Sequence, residues 1–147
     1  MITLLIAYLS WTIPQYIIHR LMHYYLSKPI SYGEKQHHKY GKDCEWNSGD
    51  LGWINVKPIY IAAIYAVISL IISIFNPIFA IKYLIMVTLM SQLDLHIHKM
   101  AHLGQNNFVA NYARRLHKIH HKTWKYNYSL FFGIPIDLIA RTYRGSK

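Results

Sequence analysis

Residues 1 to 18, MITLLIAYLSWTIPQYII, carry no charge. As a helix they would rise about 27 Å, close to the roughly 30 Å of a bilayer's hydrocarbon core. The pattern predicts one membrane crossing. A cleaved signal peptide fits less well, because no Lys or Arg precedes the apolar stretch, Trp11 and Pro14 interrupt it, and no small-residue cleavage pattern follows. A second apolar block runs from Ile59 to Leu93, broken only by Asn76-Pro77 and Lys82. Asn-Pro initiates turns, Pro77 cannot continue a preceding helix's hydrogen bonding, and Lys82 lies one turn further on, where its stem can reach the interface. Two short spans joined by a tight turn are expected, in preference to one long tilted helix with an internal proline. A third apolar stretch, LFFGIPIDLIA at 130 to 140, is too short to span and contains Gly133, Pro135 and Asp137. An interfacial or re-entrant segment is expected there.

These elements give an all-α integral membrane protein with about three spans, one N-terminal helix plus a hairpin, and a helical cap on the cytoplasmic side. Residues 1 to 147 are expected to form a single domain. Composition agrees, since 53% hydrophobic residues is high for a soluble chain of 147. Charge then orients the spans. Arg20, Lys28, Lys35, Lys39, Lys42 and Lys57 lie between the first span and the hairpin, and every later cation from Lys99 to Lys147 follows the hairpin, which leaves Lys82 alone for the opposite side. Cytoplasmic loops collect Lys and Arg, so both basic segments are expected to face the cytoplasm and the N-terminus to face away. The formal charge of +10 is accounted for by orientation and by attraction to anionic headgroups. Nucleic-acid binding is not expected, because the positive residues flank spans and form no separate soluble module. Cys44 is alone, so there is no disulfide framework.

Histidine carries the chemistry. HRLMH (His19, His23) and HKMAH (His98, His102) are i, i+4 pairs, HKIHH (His117, His120, His121) is i, i+3, i+4, and EKQHH repeats that spacing with Glu34 ahead of His37 and His38. Residues three and four apart share a helix face with Cβ atoms roughly 5–6 Å apart, so each group can aim its side chains at one metal position. All four boxes lie on the same predicted side of the membrane, as a shared site requires. His96 stands outside the boxes. Ten ligands of imidazole and carboxylate exceed the four of a structural zinc site and suit two ions of four to five ligands each. Imidazole accepts Fe, Zn, Cu or Ni, and the lack of thiolate in the boxes excludes Fe–S and soft-metal sites. A two-iron centre facing a membrane would point to O2 chemistry on a lipid, since no side chain attacks an unactivated C–H bond.

The order of the boxes resembles the HxxxH, HxxHH, HxxxH, HxxHH pattern of the membrane di-iron fatty acid hydroxylase superfamily, which includes sterol desaturases and small carotenoid hydroxylases. The apolar hairpin falls between the second and third boxes, as in that family. CEWNSGDLGW (44 to 53) is similar to the Glu-x-Asn stretch of carotenoid hydroxylases, and NYSLFFGIPIDLIARTYR (127 to 144) is similar to the family's Asn-Tyr-Gly followed by Asp-Arg-Leu-Phe-Gly-Thr. The chain departs from the pattern at Glu34 in place of His, Ser129 in place of Gly and Arg141 in place of Gly. A carboxylate is itself a competent iron ligand.

The resemblance implies an O2-dependent di-iron hydroxylase or desaturase acting on a fatty acid, sterol or carotenoid. Its ligands would be His19, His23, Glu34, His37, His38, His98, His102, His117, His120 and His121, and Asp94 or Asp137 could hold a ligand imidazole in its tautomer. Two iron ions are implied, and zinc can replace them on purification. Electrons must come from outside, because the chain has no Gly-rich nucleotide loop or haem-attachment motif. A b-type cytochrome or a ferredoxin with its reductase is the expected donor. The membrane would be the endoplasmic reticulum in a eukaryotic cell or the inner membrane in a bacterial one. A catalytically silent relative and a metal-binding membrane protein are the alternatives. Transport is disfavoured, since residues 59 to 75 offer only Ser and Tyr as polar groups.

Overall fold

The computed structural model describes residues 2–24, 38, 62–103, 106–129 and 132–145. Glu34, His37 and the 44–53 stretch lie outside the described residues. The regular elements are α1 (Ile2–Tyr24), α2 (Ala62–Ser73), α3 (Pro77–His102), α4 (Phe108–Thr123) and α5 (Ile134–Ile139). Among the described residues there is no strand. The fold is all-helical, as the apolar pattern predicts.

The hairpin between α2 and α3 turns where Asn-Pro predicts. Phe75 and Asn76 both donate their N–H groups to the Ile72 carbonyl, which closes α2. Asn76 then leaves the helical region (φ −154°) and its side chain accepts from Phe79 N at 2.9 Å, while Pro77 occupies the start of α3. This cap is worth about 1 kcal/mol, and proline is tolerated there because its missing N–H would have no helical partner anyway.

Pro14 sits inside α1 without ending it. Proline at this position leaves the carbonyl four residues back, that of Ser10, without its helical donor. The Tyr65 hydroxyl of α2 donates to that carbonyl. A membrane helix can keep an internal proline when a neighbouring helix satisfies the freed group in this way.

Helices α1 and α3 pack in parallel. Ala7 and Trp11 meet Tyr83 and Val87 in one buried cluster with Tyr65, and further along Gln15 Nε2 donates to Asp94 Oδ2 at 3.4 Å. Both helices are long and apolar enough to cross a membrane, and only 22% of each apolar window is buried within the molecule, unlike the core helix of a soluble domain. The remaining surface of these helices is large and apolar, including Leu5, Leu9, Ile17, Ile81, Leu89 and Leu93. The described part of α2 is shorter. Helix α4 is amphipathic and packs Ala113 and Val109 against Ile97, Met100 and Ala101 of the last turns of α3. The sequence predicts an interfacial or re-entrant segment at 130 to 140; the structure has a short helix there, α5, with contacts to α1.

Candidate metal centre

Because α1 and α3 run in parallel, the two i, i+4 pairs come to the same end of the molecule. The third histidine-bearing helix, α4, crosses that end with His117, His120 and His121 buried on its inner face. Two groups of nitrogens result. In the first, ligand atoms of His19, His23, His38 and His120 all lie within 4.8 Å of one another. His23 Nε2 is 3.1 Å from His19 Nε2, 3.0 Å from His120 Nε2 and 3.1 Å from His38 Nε2. The second unites His98, His102 and His117, with Nε2 separations of 3.1, 3.1 and 2.9 Å. His121 Nε2 lies 2.9 Å from His117 Nε2, and its ring is 4.5 Å from that of His38, so it stands where the groups meet. His96 is exposed and belongs to neither group.

Backbone carbonyls fix the tautomers in the first group. A carbonyl oxygen only accepts, so His19 Nδ1 donates to Tyr128 O at 2.6 Å and His120 Nδ1 donates to Tyr126 O at 2.8 Å. Each then presents a bare Nε2 lone pair toward His23. A shared cation there would take all of these lone pairs at once. Burial, then the neighbouring His19, His38 and His23, holds His120 well below the ordinary imidazole range, so its neutral, ligating form is favoured. Converging neutral imidazoles are a donor set that fits transition-metal ions. No carboxylate belongs to either group among the described residues.

The carbonyls of Tyr126 and Tyr128 are held by a strap running from the end of α4 through α5. Asn127, buried and with φ 54°, donates from Nδ2 to Leu116 O and Arg144 O, and its Oδ1 accepts from Arg144 N. Asp137 accepts from Tyr128 N at 3.1 Å, Ser129 N at 2.8 Å and Thr142 Oγ1 at 2.6 Å. Burial raises its carboxyl above the ordinary carboxylate range, against the pull of those three donors. Asp137 thus reaches the imidazole of His19 through the Tyr128–Ser129 peptide, whose N–H it accepts and whose carbonyl faces His19. Asp94, one turn before His98, is tied to Gln15, itself one turn before His19. Nothing in the residue pattern marks Tyr126 or Gln15, and Asn127 and Tyr128 stand out there only as the Asn-Tyr of the tail. For the tyrosines no side-chain pattern would have found the role, because the group that matters is the peptide oxygen.

The family model of fatty acid hydroxylase matches residues 4–142. The chain belongs to the fatty acid hydroxylase family. The matched range contains both nitrogen groups and the strap that orients them, so the family's hydroxylase-type oxidoreductase domain covers nearly the whole chain. No curated protein and no solved structure matches the chain. The family assignment rests on this match, to which the two histidine groups add metal-binding capacity.

Proposed function

We propose that the chain is an O2-dependent di-iron hydroxylase or desaturase of a membrane lipid, with residues 1 to 147 as one domain. The observation that carries this reading is the pair of abutting nitrogen groups at the common end of two membrane-length helices. His19, His23, His38 and His120 would hold one iron, and His98, His102, His117 and His121 the other, with Glu34 and His37 completing the set. When bound, the two irons would supply the oxidising chemistry by which R–H, O2, two electrons and two protons become R–OH and water, or by which two hydrogens leave neighbouring carbons.

The chain's own residues orient and shield. The Tyr126 and Tyr128 carbonyls hold the Nδ1 protons of His120 and His19, keeping each Nε2 turned inward. Burial of His38, His102, His117, His120 and His121 keeps bulk water from the nitrogens. The apolar outer faces of α1 and α3 match a fatty acid, sterol or carotenoid lying alongside. Electrons would come from a b-type cytochrome or a ferredoxin with its reductase, and the centre would face the cytoplasm, at the endoplasmic reticulum or the bacterial inner membrane.

Iron per purified chain and oxidised lipid in extracts of expressing cells, read by mass spectrometry, test the proposal together. Two irons and a new hydroxylated or unsaturated lipid support it; zinc-loaded protein should be inactive. Glu34, where the family has His, favours a second reading, a metal-binding but silent relative, which predicts at most one ion and no lipid product. Tags at residues 1 and 147 should lie on opposite sides of the membrane, as three crossings require.

A further inference from the structure

We propose that the outer face of α4 binds the phosphate headgroup of an anionic phospholipid. A surface cavity of about 430 Å³ is lined by Phe108, Asn111, Arg114, Arg115 and Lys118. Three cations line it and no carboxylate does, and the described carboxylates, Asp94 and Asp137, are both buried elsewhere. The two guanidinium groups are held in place. Arg114 Nε donates to Ala101 O at 3.0 Å and its Nη1 to Asn111 Oδ1 at 3.2 Å, and the Arg115 guanidinium lies over the Tyr112 ring. Such a set matches a phosphate, whose oxygens take charge-assisted hydrogen bonds from guanidinium and ammonium groups.

Depth decides the source of that phosphate. Helix α3 has 26 residues, about 39 Å of rise, of which about 20 residues fill the hydrocarbon core. Counted from Pro77, the core ends near His96, so Ile97 to His102 stand at headgroup level. Those are the turns against which α4 packs, and Arg114 bonds directly to Ala101. The cavity is therefore level with lipid phosphates. Phe108, 79% exposed, offers apolar surface beside the cations, as a lipid's glycerol and upper acyl carbons require and a free phosphate does not. The proposal rests on the membrane reading of α3 and not on the metals.

The test uses the full chain purified in neutral detergent, with thermal unfolding followed on titration with dihexanoyl phosphatidylglycerol, dihexanoyl phosphatidylcholine or inorganic phosphate. Phosphatidylglycerol should raise the unfolding temperature saturably and outdo both others at equal concentration. Arg115→Gln with Lys118→Gln should weaken the apparent affinity about tenfold or more while keeping the unliganded unfolding temperature and metal content. Phe108→Ala should lower the preference for the lipid over inorganic phosphate. An equal response to phosphatidylcholine, to inorganic phosphate, or in the double variant would overturn the proposal, as would a groove that responds to an acidic redox protein and not to lipid. Metal content, measured alongside, separates these outcomes from failure of the di-iron reading.

Discussion

His19 Nδ1 donates to the carbonyl of Tyr128, 109 residues away, at 2.6 Å. The first histidine of the chain is thus oriented by its last quarter. The peptide that carries this carbonyl is held in turn by Asp137, whose carboxylate takes its N–H, that of Ser129, at 2.8 Å, so the orientation of an α1 imidazole depends on a side chain in α5.

Asp137→Ala should therefore leave the buried N–H groups of Tyr128 and Ser129 without their acceptor, costing about 2 kcal/mol or more. Thermal unfolding measures this, and a loss below about 1 kcal/mol would contradict the assigned role. The pH dependence has a definite sign. Burial raises the Asp137 carboxyl in the folded chain, so the folded state holds this proton more tightly than the unfolded state. Its contribution to stability is full below the unfolded pKa and lost as pH rises through the raised folded one. Asp137→Asn should remove that decline above about pH 4.

The two nitrogen groups should fail separately. If each group holds an ion as proposed, His120→Ala should cut metal content from two ions toward one by emptying the His19, His23 and His38 group, and His102→Ala should do the same to the other. Helical content and membrane insertion should persist in both, because the α1 and α3 packing lies elsewhere. Metal analysis and circular dichroism read the result; loss of both ions on either substitution would mean a single coupled site.

A Cβ on Gly133 would stand 2.0 Å from Ser129 Cβ. Gly133→Ala should therefore destabilise the strap by about 2 kcal/mol or more, and Ser129→Gly should restore most of it while Ser129→Ala should not, since alanine keeps the offending carbon. Unfolding temperatures of the two double variants decide this.

Pro14 and Tyr65 form a thermodynamic pair. Tyr65→Phe leaves the Ser10 carbonyl without a donor in an apolar setting, at about 1–3 kcal/mol. Pro14→Ala supplies a helical N–H and should make Tyr65→Phe nearly silent. A double-mutant cycle in detergent or nanodiscs checks it, and additive effects would refute the pairing.

The histidine spacing and the Asn-Pro turn were legible in the sequence because both are local: 3.6 residues per turn and one proline ring act within a few positions. The division of the boxes into two groups was not. His117 and His120, three residues apart, join different groups, and that follows from how α4 crosses α1 and α3. The parts of Tyr126 and Tyr128 were hidden for another reason, since every residue carries a carbonyl. Asp137 was legible as a polar residue in an apolar stretch, but its bonds to Tyr128, Ser129 and Thr142 emerge only when the strap closes.

Arg141 gives the departure from the family pattern a physical meaning. It has φ 58°, and around it Arg141 N donates to Leu138 O and Thr142 N to Asp137 O, the bonding of a helix end that favours glycine. Arg141→Gly should stabilise the chain by up to about 1 kcal/mol, read as a rise in unfolding temperature. A fall would show that the guanidinium makes a compensating contact.

The rings of His117 and His120 lie nearly parallel, 14° apart in plane with centroids 5.9 Å apart, one in each nitrogen group. Both hang from consecutive turns of one helix. Sliding of α1 against α3 would loosen either shell but could not change this gap, because peptide geometry sets it. The covalent chain is thus a ruler for the spacing of the two nitrogen groups, and a one-residue insertion after Lys118 would swing one mark about 100° out of line while leaving the other in place.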